Sequence, residues 1–333
     1  MKFNWLILST KLSASIHRVI VALMLMGLAA CDDGTNDINE PPTSPVTVKQ
    51  PVKAVELPPE FNQYRDSLAR SERNYVKVIP EIATDLQPTD SKFRGQAFLP
   101  AGHEHPLNKD GERLALLAQI NWADMPSLPG YPSQGILQIH IDPGINQHHV
   151  WGMNSYRGRP FEQAAYFQSL HRQDYFKVLY FPHELVNGPV SDAQSAYRGD
   201  DMPITGPMKL HFELATEWVN AEDYRFAQFV GQTDDEFYDQ HEDLGWEVLD
   251  AFYRYLMPDA VAKIGGYGRF VQEDPRTMDM LDEDWLVLLN IESASVGNED
   301  IMWGDGGTAT FFIRRQDLAN LDFSQVAYYW DNH

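Results

Sequence analysis

Cysteine occurs once in 333 residues, at Cys31, so no disulfide can close within the chain and no second thiol is available as a ligand or nucleophile. Basic side chains are also scarce, with 26 Lys and Arg against 48 Asp and Glu and a net charge of −22. A field of that sign repels phosphate backbones, which excludes nucleic acid as a partner. There is no G-x-S-x-G nucleophile elbow and no phosphate-binding loop with its lysine. His183-Glu184 and His241-Glu242 open like zinc-protease helices, but Asn187 and Gly245 stand where a second histidine is required. Gly266-Tyr267-Gly268 lacks the third glycine and the acidic partner of a dinucleotide fingerprint, and reads as a turn.

The N-terminus is better marked. Residues 1–30 carry Lys2, Lys11 and Arg18 and no acid, and Val19 to Ala30 is uninterrupted and apolar. A basic start, a short apolar run and small residues before a cut form a secretory signal, and the run is too short for a span of about 20 residues. Leu28-Ala29-Ala30-Cys31 resembles a bacterial lipoprotein signal, with Cys31 as the lipid attachment site. Asp32 and Asp33 resemble an inner-membrane retention signal. Residues 31–59 hold Pro41, Pro42, Pro45, Pro51, Pro58 and Pro59 among polar residues and read as a tether. The expectation is an exported, membrane-anchored cell-envelope protein on the periplasmic face, with the bilayer as a partner through its acylated N-terminus.

From residue 60 to 333 the composition is that of a globular body, with 43% hydrophobic and 12% aromatic residues over the whole chain. Phe61, Tyr64, Leu68 and Tyr75 approximate helical spacing and predict a first helix. Leu114 to Asn121, Gly135 to Asp142, Tyr175 to Phe181, Lys209 to Ala215, Trp285 to Glu292 and Thr308 to Arg314 predict strands. In the second of these, Leu137, Ile139 and Ile141 would share one face, with Gln138 and His140 on the other. A helix is predicted from a cap at Asn220 to Phe229, and another over Trp246 to Met257. Runs of strands with helices inserted irregularly predict an α+β fold, sheet-rich and largely antiparallel, with a few amphipathic helices. Lys92-Phe93-Arg94-Gly95 and Lys263-Ile264-Gly265-Gly266 stand 171 residues apart, and Leu117 and Ile120 fall on Leu288 and Ile291 at the same interval. That echo predicts two similar halves packed together, approximately 60–245 and 246–333.

Several segments are specific. They include Lys263 to Tyr267, Gln272-Glu273-Asp274-Pro275-Arg276, Ile301 to Gly307, Phe311-Phe312-Ile313, Leu321 to Ser324 and Trp330-Asp331. With Phe98-Leu99-Pro100, Leu117 to Asn121, Leu128-Pro129 and Gly135 to Gln138, they resemble the YwqG-like family of bacterial proteins of unknown function over residues 60–333. The resemblance implies a mixed, sheet-rich fold with two similar halves and implies no activity. Gly268 stands where the family commonly has proline, and Asn332 and His333 where it often has a pair of cysteines.

His103 and His105 flank Glu104, and His148 adjoins His149, but loop histidines are the commoner explanation; no metal or cofactor is expected. The most site-like polar residues lie near the C-terminus. Lys263, Gln272, Asp274, Arg276, Trp303 and Asp305 are the candidate lining of a binding groove between the halves, with glycines shaping a concavity and tryptophan a stacking face. The alternative is that the glycines make tight turns, Asp305 bonds loop amides and Arg276 pairs with Asp274. The expected role is a non-catalytic, membrane-tethered module that binds a ligand or an envelope protein or peptide, in the manner of an immunity protein. An envelope hydrolase or metal-dependent enzyme is the rival.

Overall fold

The computed structural model describes residues 56–155, 163–191, 201–276 and 284–333. Its framework is an antiparallel sheet built from long apolar strands and two short ones. In chain order the strands are β1 (Arg73–Ile82), β2 (Lys92–Phe93), β3 (Ala115–Asn121), β4 (Ile136–Ile141), β5 (His149–Val150), β6 (Met153–Asn154) and β7 (Phe176–Phe181). They continue as β8 (Met208–Glu217), β9 (Ala262–Gly265), β10 (Trp285–Glu292), β11 (Ala294–Val296), β12 (Glu299–Ile301), β13 (Thr308–Arg314) and β14 (Ala327–Asp331). Among the described residues, ten of them form one sheet in the order β14-β13-β10-β9-β1-β8-β2-β3-β4-β7. β11 pairs with β12 and β5 with β6 in separate ribbons.

β1 and β8 run the length of the sheet centre, paired from Arg73↔Glu217 to Ile82↔Met208. The other neighbour of β1 is β9, joined through Lys77↔Lys263, and the other neighbour of β8 is β2, joined through Lys92↔Lys209. The strand made first is therefore built into the part of the sheet made last. The β3–β4 ladder shifts register between Leu116 and Ala118, and the β10–β13 ladder between Val287 and Leu289. Such shifts bend a strand and increase its twist. The sheet curls until its edge strands face each other, with Phe176 of β7 5.3 Å from Tyr328 of β14. Trp330 and Tyr328 donate to the carbonyls of Val150 and Leu170, so the connection around β5 and β6 covers the gap.

Inside the curl lies the main core, with Val76, Phe93, Leu117, Ile139, Leu288 and Phe311 all inaccessible. Gln138 and His140 are buried too: β4 is covered on both faces rather than half-solvated. Their polar groups are satisfied in a ladder, in which Gln138 Nε2 donates to Phe98 O and Gln119 Oε1 while Gln138 Oε1 meets the His140 ring.

Seven helices are described: α1 (Arg65–Ala69), α2 (Gln163–Ser169), α3 (His183–Val186), α4 (Phe226–Val230), α5 (Asp234–His241), α6 (Trp246–Leu256) and α7 (Arg315–Ala319). The predicted first helix is shorter than its spacing suggests. A 3-10 turn over Pro59–Tyr64 leads into α1, and Tyr75 belongs to β1, where Tyr75-Val76-Lys77-Val78-Ile79 prefers the extended backbone. The helix expected from Asn220 begins only at Phe226; Asn220 Oδ1 instead accepts from the amides of Glu222 and Asp223 in a turn. α5 starts on a reciprocal Thr233–Glu236 capping box. α6 buries Leu249, Phe252 and Leu256 against Phe61, Leu68, Phe226 and Phe237 in a second core outside the sheet.

The expectation of a body held on a bilayer is corrected. Among the described residues no helix is long and apolar enough to cross a membrane, and the leader, Cys31 and the proline-rich segment lie outside those residues. The membrane-tethered lipoprotein role, the bilayer as partner and the inner-membrane location are withdrawn with it.

Candidate functional site

Two lysines sit at the sheet centre with almost no exposure, Lys92 and Lys263. Burial pushes the Lys92 ammonium down to about 8, and it donates to the carbonyls of Gln87 and Pro88. Lys263 instead meets both oxygens of Glu217, at 2.8 and 2.7 Å, where β8 ends. The chain leaves β9 through Gly265 and Gly266, both with positive φ, and Tyr267 N–H donates to Glu217 Oε1 at 2.7 Å. A Cβ on Gly266 would lie 1.7 Å from that same oxygen. Gly266→Ala is therefore expected to destabilise the protein by about 3 kcal/mol, from backbone strain and disruption of a buried ion pair. Urea unfolding measures it, and a loss under about 1 kcal/mol would refute the packing described.

Arg276 forms a second buried cluster. Its Nε donates to Asp274 Oδ1 at 2.8 Å, and its Nη2 reaches Asp274 Oδ2 at 2.7 Å and Asp223 Oδ2 at 2.9 Å. The guanidinium packs 4.5 Å from the Phe312 ring centre and 4.7 Å from that of Tyr224. Burial alone would raise the Asp223 carboxyl, but Arg276 and Arg225 outweigh it and hold it below the usual range. Trp303 is also enclosed, packed edge-on against Trp151, and its carbonyl accepts from Gly307 N–H. Of the six groove candidates, Lys263, Asp274, Arg276 and Trp303 are thus interior. Gln272 and Asp305 lie at the surface, with Gln272 donating to Asn332 O and through its amide to Asp331.

Beside these clusters opens a cavity of about 280 Å³, bounded by Glu222, Met257, Arg269, Phe270, Val271, Glu292, Ser293, Gly306, Gly307, Thr308 and His333. Arg269 spans it between two carboxylates. Nε meets Glu222 Oε2 at 2.7 Å, Nη1 meets Glu292 Oε1 at 3.1 Å, and Nη2 contacts Glu222 Oε1 at 3.5 Å and Met257 Sδ at 3.6 Å. Phe270 N–H adds a bond to Glu222 Oε2. Burial raises the Glu292 carboxyl despite Arg269 and Lys263, and Glu222 and Glu217 push it the same way. Asp331, next to the cavity, is pushed up to about 6 by burial, opposed by the amides of Gln272 and Val271 and reinforced by Glu222. The wall at Gly307 tolerates no side chain, since a Cβ there would stand 1.9 Å from Asp331 O.

Sequence reasoning missed Glu217, Glu222, Arg269, Glu292 and Asp331 as a group. Asp331 lay in a family-like motif and Glu292 at the end of a predicted strand, but Glu222 and Arg269 carried no signal. The histidines do not assemble a metal centre: among the described residues no group of three or more His, Cys, Asp or Glu is placed to hold an ion. His103 is exposed, and His105 Nε2 meets Leu114 O at 2.8 Å. His148 is exposed and stacks near Tyr175, while His149 is buried 3.5 Å from Asp142 and lowered by that burial. His241 packs among Phe61, Tyr64 and Phe237 with Nδ1 on Phe237 O.

A model of the family described as domain of unknown function (DUF1963) matches residues 91–332. No curated protein matches the chain.

Proposed function

We propose, from the premise that the chain belongs to the DUF1963, YwqG-like family, that it is a small-molecule-binding protein made of two similar halves, with a binding cavity lined mainly by the second and closed by Glu222 of the first. Several registers support the halves. Lys92 pairs with Gln119 and Lys263 with Asn290, both at the interval seen in the sequence, and the two register shifts fall at that interval as well. In space the division runs between β1 and β8, giving β8-β2-β3-β4-β7 and β1-β9-β10-β13-β14. Along the chain, halves of about 60–245 and 246–333 differ from this division at one strand, since β1 lies in the first by sequence and pairs into the second.

The observation that carries the binding reading is the cavity itself, because it is kept open between charged groups that a core would close over. Met257 and Phe270 give it an apolar wall, and Arg269 with its carboxylates gives it fixed polar groups, a composition typical of ligand sites. The six groove candidates enter this reading as support. Lys263 fixes Glu217, Asp274 and Arg276 hold the segment leading away from Phe270, and Trp303 anchors the glycine loop. Gln272 and Asp305 flank the opening, each next to a lining residue.

Met257 is partly exposed at the rim, so Met257→Trp is expected to fill the cavity without unfolding the protein. Small molecules that shift amide resonances of Phe270 and Gly307 in the wild type are expected to lose at least about tenfold in affinity, a typical size for a steric block. Binding that is indifferent to this replacement, in a variant with unchanged melting, would refute the cavity as the site.

A further inference from the structure

We infer that the cavity recognises a small organic cation, through acceptor capacity that Glu292 and Glu222 have not spent on the protein. This rests on the cavity being a ligand site and adds the chemistry of the ligand. Four of the five Arg269 N–H groups are engaged: Nε and Nη2 reach Glu222, Nη1 reaches Glu292, and Nη2 also contacts Met257 Sδ. It has no fork left for an arriving carboxylate or phosphate, so its positive charge does not make the cavity an anion receptor.

The acceptors are in the opposite condition. A carboxylate offers about four lone-pair positions. Among the described residues Glu292 receives one hydrogen bond, from Arg269, and Glu222 receives two short ones and one long one. The Gly307 carbonyl accepts from Ser293, while the Gly307 amide is already given to Trp303 O. What the walls leave over is mostly acceptor.

Charge points the same way. Around the cavity stand Glu222, Glu292, Glu217 and Asp331, against Arg269 and Lys263. Burial is the main cause of the raised Glu292 and Asp331 carboxyls, and Glu222 adds to both. A donor-rich cation with a short apolar part would meet Glu292 at one end and Met257 with Phe270 at the other. Such charge-assisted contacts are stronger than neutral ones.

Calorimetric titration of the full chain at neutral pH tests this with butylammonium, methylguanidinium and, as an anion of matched size, butyrate. At least one cation is expected to bind saturably and butyrate not at all. Glu292→Gln, which keeps shape and removes charge, is expected to weaken the cation about tenfold or more, and Glu213→Gln on the exposed face of β8 to leave it unchanged. Equal binding of butyrate, no binding of either cation, or an indifferent Glu292→Gln each overturns the inference. A neutral or anionic compound that binds here and is lost in Met257→Trp would leave the ligand-site reading intact and remove only the cation. If no compound of any charge binds at the cavity, both fall.

Discussion

Arg276→Ala is expected to cost about 3–5 kcal/mol of stability, the range for removing one member of a buried ion cluster. Arg276 and Asp223 have no side-chain exposure and Asp274 has 4%, so Asp274 would lose its cation away from water and Asp223 would keep only Arg225, 3.4 Å away. Because a domain holds only about 5–15 kcal/mol in all, such a loss brings the variant close to unfolding. Arg276→Lys is expected to recover less than half, since an ammonium cannot make the two-pronged contact that Nε and Nη2 make with Asp274. Replacing Arg276 by Met together with Asp274→Asn leaves Asp223 to its remaining partner Arg225, 3.4 Å away, and is expected to recover more than Lys does. Urea midpoints at neutral pH separate the variants. A loss below about 1 kcal/mol in Arg276→Ala would mean that water reaches the cluster.

Thermal stability is expected to be higher near pH 5 than near pH 7.5. Burial pushes both Asp331 and Asp234 up to about 6, against roughly 4 in the unfolded chain. Between those values the folded protein keeps protons that the unfolded chain has released, so stability falls as pH rises through the window. Each shift of about two units corresponds to about 2–3 kcal/mol, and Glu292, also raised, acts in the same direction. The net charge of −22 adds self-repulsion that eases as carboxylates take up protons. Asp223 sets the lower limit. Its depressed carboxyl contributes stability that is present above the unfolded value and is lost as pH falls through the folded one. Melting curves across pH 4–8 show whether the maximum lies near 5, and Asp331→Asn should flatten the decline above it. A melting temperature that rises steadily from pH 5 to 7.5 would contradict the burial of these carboxylates.

The long strands were legible because each is a continuous apolar run of the right length between turn residues; Trp285–Glu292 and Thr308–Arg314 stand where the pattern put them. The two short central strands were not. Lys92-Phe93 and Lys263-Ile264 read as approaches to glycine turns, since two to four residues carry no period and a lysine argues against burial. What buries them is pairing to β8 and β1, which no local pattern records. The candidate site shows the same division. The pairing of Arg276 with Asp274 could be read from adjacent residues, but the enclosure of Trp303 depends on Trp151 and Trp330. The cavity was illegible because Glu222, Arg269 and Glu292 come from separate segments, and only the folded chain brings both carboxylates within 3.1 Å of the guanidinium.

The central pairing of β1 with β8 and β9 has a consequence for biosynthesis. When β1 leaves the ribosome, both of its lateral partners are still more than a hundred residues from being made. The nascent first portion must wait with an apolar ribbon unzipped, since contacts so distant along the chain form late and slowly. A stalled or truncated message would release that ribbon bare, which makes incomplete copies of this protein natural clients for a holding chaperone.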